Sequence, residues 1–148
     1  MAPAATYRVL GLGLTRLVLD GDVLVAGQPR NGYRERRIPL AEIAGFCVET
    51  NDVAGRGFDN FVLAFGGAGK RRVYRLAVDA SNGVFEAFVA SLAARCPGAD
   101  LTALPVREAL ARIGARSLNR EVAIVAAVTV GGLVLIVLAM LFLWYRDR

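Results

Sequence analysis

Two hydrophobic periods and one unbroken apolar run divide the chain. From Thr6 to Val78 apolar and polar residues alternate, the signature of strands with one buried face. Leu12, Leu14, Leu17 and Leu19 are spaced for a strand, with Arg16 turned elsewhere. Asp20-Gly21 reads as a two-residue hairpin between Leu17-Val18-Leu19 and Val23-Leu24-Val25. Gly27 to Gly32 is a dense turn cluster, and Tyr33 to Ile38 resumes the strand pattern until Pro39 interrupts it, which suits an edge strand or a strand end. Ile43 to Thr50 forms the next strand, with Phe46 and Val48 on one face. Asn51 to Asn60 reads as a loop, Phe61-Val62-Leu63-Ala64-Phe65 as a short run apolar on both faces, and Gly66 to Lys70 as a turn. Arg71 to Val78 then puts Tyr74, Leu76 and Val78 on one side. Six or seven strands joined by short turns predict an antiparallel meander or barrel.

The period then changes. Phe85, Phe88, Val89 and Leu92 fall at i, i+3, i+4 and i+7, an amphipathic helix capped by Ser81 or Asn82 and ended by Cys96-Pro97-Gly98. Between Asp100 and Glu121, Pro105 suits a first helical turn, and Val106, Leu110 and Ile113 share a face. This segment is expected to lie on the membrane surface or to form a stalk.

Val122 to Tyr145 passes 24 residues without a charge, and 14 of them are Leu, Ile, Val or Phe. As a helix the run is about 36 Å long, more than the ~30 Å hydrocarbon layer of a bilayer. Trp144 and Tyr145 fall at its boundary with Arg146 just beyond, the composition of an interfacial anchor. The chain is therefore expected to comprise a β domain with its helix over 1–98, a linker over 99–121, a membrane span over 122–145 and a short tail over 146–148.

Composition sharpens this picture in a few places. The net charge is +5, and 17 of the 18 basic residues are Arg, but they form neither a basic tail nor a run interleaved with aromatics, so nucleic acid is not an expected partner. Cys47 and Cys96 stand far apart outside any CxxC pair, as reduced, mostly buried thiols would. Histidine is absent, which removes the commonest general base and metal ligand. The first thirty residues lack a signal-peptide pattern. Arg107, Arg112, Arg116 and Arg120 precede the span, against Arg146 and Arg148 after it, so the positive-inside bias puts the N-terminal domain in the cytoplasm.

The segments Leu17 to Leu24, Arg37 to Ala44 and Lys70 to Tyr74, followed by the Phe85/Phe88 helix, resemble the bacterial pleckstrin-homology-like (PH-like) group over about residues 7–96. The resemblance implies a mainly β fold: two roughly orthogonal sheets forming a barrel or sandwich, capped by the one C-terminal amphipathic helix, with the transmembrane helix after it. It also implies a binding or scaffolding module beside membrane helices and not an enzyme. Lipid headgroups are ligands of some eukaryotic relatives, but the Leu10–Leu14 bend, where a basic loop would be needed, holds only Gly and Leu.

Other candidate chemistry is sparse. Gly66-Gly67-Ala68-Gly69-Lys70 fails as a phosphate loop, because Ala64 stands where the first Gly is required, Arg71 where Ser or Thr is, and a strand follows it instead of a helix. Asp52 and Asp59 are a candidate carboxylate pair flanking a glycine-bearing loop. Arg34, Arg36 and Arg37 with Lys70, Arg71 and Arg72 form a candidate anionic-lipid patch if their strands neighbour. Within the span, Ala123, Ala127 and Gly131 recur every fourth residue, a candidate face for packing against another membrane protein or a second copy. No catalytic residue, cofactor or metal site is expected. The resulting expectation is a single-pass, tail-anchored protein of the inner (plasma) membrane, its partners the bilayer and another membrane protein, working as an accessory or assembly subunit; the alternative is a sensor of anionic lipid.

Overall fold

The computed structural model describes residues 5–9, 14–53, 56–67, 70–116 and 118–146. The chain forms two compact units, Met1–Ala115 and Arg116–Arg148.

The first unit opens with a four-stranded antiparallel meander: β1 (Ala5–Val9), β2 (Thr15–Asp20), β3 (Val23–Gln28) and β4 (Tyr33–Pro39), side by side in that order. Asp20 pairs with Val23, so the hairpin loop is Gly21-Asp22, one residue later than expected, and Gly21 takes the positive φ of 53° that the turn requires. Leu14 does not belong to β2. It stands just before the strand, exposed and at φ 61°, and Leu12 lies outside the described residues. Pro39 ends β4, which is an edge of this sheet, where a missing N–H breaks no ladder.

A second antiparallel sheet holds β5 (Ile43–Val53), β6 (Arg56–Phe65) and β7 (Arg72–Val78) in that order. The loop expected over Asn51 to Asn60 is instead the end of a long hairpin: Asn51 pairs with Phe58, Asp52 with Gly57 and Val53 with Arg56. Polar, turn-prone composition yields here to continued pairing with a neighbouring strand, which outweighs intrinsic β preference.

The inner faces of both sheets and one helix, α1 (Gly83–Arg95), enclose a single core. Leu17, Leu19, Leu24 and Ile38 come from the first sheet, Phe46, Phe61, Leu63 and Leu76 from the second, and Phe85, Phe88 and Leu92 from α1. Phe61 is at the centre, with the rings of Phe46, Phe85 and Phe88 at 5.9, 5.9 and 6.0 Å. Asn82 caps α1 by accepting a hydrogen bond from the Val84 N–H at 2.8 Å.

No strand of one sheet pairs with a strand of the other among the described residues, so backbone ladders do not close a barrel. Side chains bridge the gap instead. The Thr15 hydroxyl donates to the Ala77 carbonyl at 2.6 Å, the Ala77 N–H donates to Gln28 Oε1 at 3.2 Å, and the Tyr74 hydroxyl donates to the Arg34 carbonyl at 3.1 Å. Thr15 and Gln28 are buried polar residues. They satisfy the backbone groups that edge strand β7 turns away from β6, and so blunt an edge that could otherwise recruit a foreign strand.

The second sheet is covered on its outer face as well. Helix α2 (Val106–Ile113) packs there through Ala109, Leu110 and Ile113 against Cys47, Val62 and Ala64. This explains why β6 is apolar on both faces: Phe61, Leu63 and Phe65 face the main core, Val62 and Ala64 face α2. Gly45 permits the approach, since a Cβ there would lie 3.1 Å from Leu101 Cδ1 and 3.3 Å from Ile113 Cγ1. The 106–113 helix is thus neither a membrane-surface helix nor a stalk; its apolar stripe is spent on the sheet, and the first unit runs on to Ala115.

The second unit is one helix, α3 (Leu118–Arg146).

Candidate functional site

One feature dominates the second unit. Ala123–Trp144 is 22 residues of helix, long and apolar enough to cross a membrane, with every side chain exposed. A soluble core helix of this composition would be buried. Its one hydroxyl is satisfied internally, Thr129 donating to the Val125 carbonyl at 2.9 Å, which removes most of the penalty for placing Thr in hydrocarbon. Ala123, Ala127 and Gly131 fall along one side of the helix, and a Cβ at Gly131 would meet nothing within 4 Å. Trp144 lies at the end of the span; the side chains of Tyr145 and Arg146 are outside the described residues.

In the first unit, β7 runs across the ends of the first sheet's strands, which brings the start of β4 beside it. Ala77 lies against Thr15 and Gln28, and Tyr74, three residues earlier, against the start of β4. The Tyr33 and Tyr74 rings are 5.0 Å apart, and Phe65 meets Tyr74 edge-on at 4.9 Å. This aromatic joint sets the Arg34 backbone beside β7, and Arg72 stands two residues before Tyr74 on the same face of β7. The six residues differ in what they do. Arg37 pairs with Asp20 at 3.6 Å, both exposed. Arg71 donates to the Arg112 carbonyl at 3.2 Å, a cation on the negative end of α2. Arg34, Arg36, Lys70 and Arg72 are exposed and make no ion pair among the described residues. Glu35, which interrupts the run, is engaged by Arg16 through two hydrogen bonds of 2.8 Å.

Gly66 has no room for a side chain. Gly66 has φ 130°, and a Cβ there would meet the Lys70 carbonyl oxygen at 2.3 Å, while its N–H donates to the Glu42 carbonyl at 3.0 Å. Gly66→Ala is expected to destabilise the first unit by about 1–3 kcal/mol, read from chemical unfolding.

Of the candidate carboxylate pair, Asp59 is engaged within the fold. Asp59 is in β6, opposite Thr50; its Oδ1 accepts from the Thr50 hydroxyl at 2.8 Å and its Oδ2 from the Ala80 N–H at 3.1 Å. Both oxygens are thereby used to tie β5 and the β7–α1 turn to β6. The Asp52 side chain lies outside the described residues.

Sequence inspection missed a buried ionic group on the outer face of the second sheet. Glu49 is 2 % exposed and Arg75 14 % exposed by side chain, with Arg75 Nε 3.4 Å from Glu49 Oε2. Cys47 is on the same face, and its thiol is pushed up to about 11 by burial first and by the Glu49 charge second, with Arg75 pulling the other way. Such a thiol is almost wholly protonated at neutral pH and is a poor nucleophile. At pH 8 a thiol reagent is expected to modify the half-buried Cys96 and to spare Cys47 until the chain is unfolded, as peptide mass mapping would show. Between pH 9 and about 11 the unfolded chain binds fewer protons at Cys47 than the folded one, so stability falls across that window.

A groove of about 390 Å³ lies between α1 and β5, lined by Val48, Ala80, Phe85, Val89 and Ala90 with Glu86 and Asp100 beside them. Among the described residues no group of three His, Cys, Asp or Glu is placed to hold a metal ion. No protein-family model, curated protein or solved structure matches the chain.

Proposed function

We propose that the chain is a membrane-anchored, non-enzymatic binding module, its β domain working on the cytoplasmic face of the inner membrane as an accessory or assembly subunit of a membrane complex. The observation that carries this reading is the fully exposed apolar helix Ala123–Trp144 joined to a compact domain with its own core. An apolar helix exposed along its whole length is accommodated by lipid. A four-stranded meander, a three-stranded meander and a helix closing the core support a PH-like assignment for the domain. Four Arg before the span and two after it support the cytoplasmic placement. Solubilisation in mild detergent followed by affinity capture tests the proposal: a stoichiometric membrane protein partner is expected, and recovery of the lone chain counts against it.

The second reading, a sensor of anionic lipid, draws on a specific feature. Arg34, Arg36, Lys70 and Arg72 are exposed without carboxylate partners among the described residues, and the backbone of Arg34 is bonded to β7 through Tyr74.

A further inference from the structure

The basic patch lies where the first unit ends. β4 crosses one end of the second sheet, from Tyr74 on β7 to Ile43 on β5, and at that same end the Gly66 N–H reaches the Glu42 carbonyl. The C-terminus of α2 lies there too: Ile113 approaches Gly45, and Arg71 holds the Arg112 carbonyl three residues before Ala115. The opposite end of the sheet, at Asp59, Val78 and Asp79, is acidic, with both carboxylates accepting hydrogen bonds from the β7–α1 turn. The chain therefore leaves the first unit at the end of the second sheet that carries Lys70, Arg71 and Arg72.

Tether length turns this into a constraint. Three residue steps separate Ala115 from Leu118, and five helical residues separate Leu118 from Ala123, together no more than about 18 Å. The headgroup layer takes up roughly 5–8 Å of that reach. What remains is at most about 10–13 Å, against a Debye length of about 8 Å at physiological salt. The tether thus limits how far a cation close to Ala115 can stand from the leaflet in which α3 would be anchored to between one and two Debye lengths.

We infer that this end of the domain, with Arg34, Arg36, Lys70, Arg71 and Arg72 as its contact residues, docks on the anionic phospholipid headgroups of the membrane that holds the chain's own helix. The inference rests on the membrane-anchored reading and deepens it by naming the partner of the patch. Docking in cis needs no affinity sufficient for capture from solution, because the anchor supplies the local concentration. Each basic residue near such a surface is worth about a fivefold gain in occupancy. The surface differs from the Leu10–Leu14 bend that the PH-like resemblance would use.

The test uses the full chain in lipid nanodiscs, with a fluorophore on Gly67→Cys at the proposed contact and, separately, on Gly83→Cys at the far end, both in a Cys96→Ser background. Both glycines have open space at the Cβ position. Spin-labelled headgroups act as quencher. In discs with about 30 mol % phosphatidylserine, quenching is expected at position 67 and not at 83, and it should be lost in pure phosphatidylcholine, at ~0.5 M salt and in Arg71→Glu/Arg72→Glu. Equal quenching at both positions, or quenching at 67 that ignores lipid charge, overturns the inference. Failure of the membrane reading itself looks different: the chain would not co-purify with the discs at all.

Discussion

A chain ending at Arg116 is expected to remain folded and to be recovered in buffer without detergent, while the chain carrying α3 partitions entirely into membranes and resists extraction by alkaline carbonate. The span contains 14 Leu, Ile, Val or Phe residues, each favouring insertion by roughly 0.3–0.6 kcal/mol, for a total of about 4–8 kcal/mol. Nothing in the first unit depends on α3 for its core: the residues that enclose Phe61, and those that bury α2, all precede Arg116. A single charge in mid-span tests the same balance. Leu135→Arg opposes insertion by about 2.5–3.5 kcal/mol and should move a measurable fraction of the chain out of the membrane. Equal solubility of the long and short chains would refute membrane anchoring outright.

How far the pattern of residues forecast this architecture depends on the range of the interactions involved. β2, β3, β4, β7 and α1 follow from local alternation and from Asn82 and Pro97, because those signals act within a few residues. The 51–60 segment was misread because its Asn, Asp and Gly residues favour turns in isolation, whereas the partner strand that overrides them is set by pairing. The stripe Val106, Leu110, Ile113 announced that one helix face needs covering, yet an apolar face fits a bilayer surface and a sheet equally well. The clue lay elsewhere, in the β6 run Phe61 to Phe65, which is apolar on both faces and therefore demands a second cover that α2 supplies. The basic residues were visible as types, but which strands neighbour is decided by the contact of Tyr74 with Tyr33, Phe65 and the Arg34 carbonyl, which brings the start of β4 to β7. Glu49 and Arg75 could not be told from solvated strand residues, since each sits at an alternating position that is exposed in most sheets.

That buried pair leads to the other large expected effect. Arg75→Met should lower the stability of the first unit by about 3–5 kcal/mol, because it removes a cation lying 3.4 Å from a carboxylate that water scarcely reaches. Glu49→Gln keeps the shape and discards the charge, leaving Arg75 14 % exposed and therefore partly hydrated, so its effect should be the smaller of the two. Replacing both partners, Glu49→Gln with Arg75→Met, deletes the cost of burying the charges together with the attraction. The double variant should therefore recover part of the loss, and the cycle should return a coupling of about 1–3 kcal/mol. Urea unfolding of the chain ending at Arg116 measures all four corners. The thiol of Cys47 gives a second readout on the same face: Glu49→Gln removes one of the two influences that hold it up, so its titration should move down towards 9.0, whereas Arg75→Met should move it further up. A pair that merely decorated the surface would leave both the unfolding curve and the thiol unchanged, since exposed ion pairs are worth about 0–1 kcal/mol.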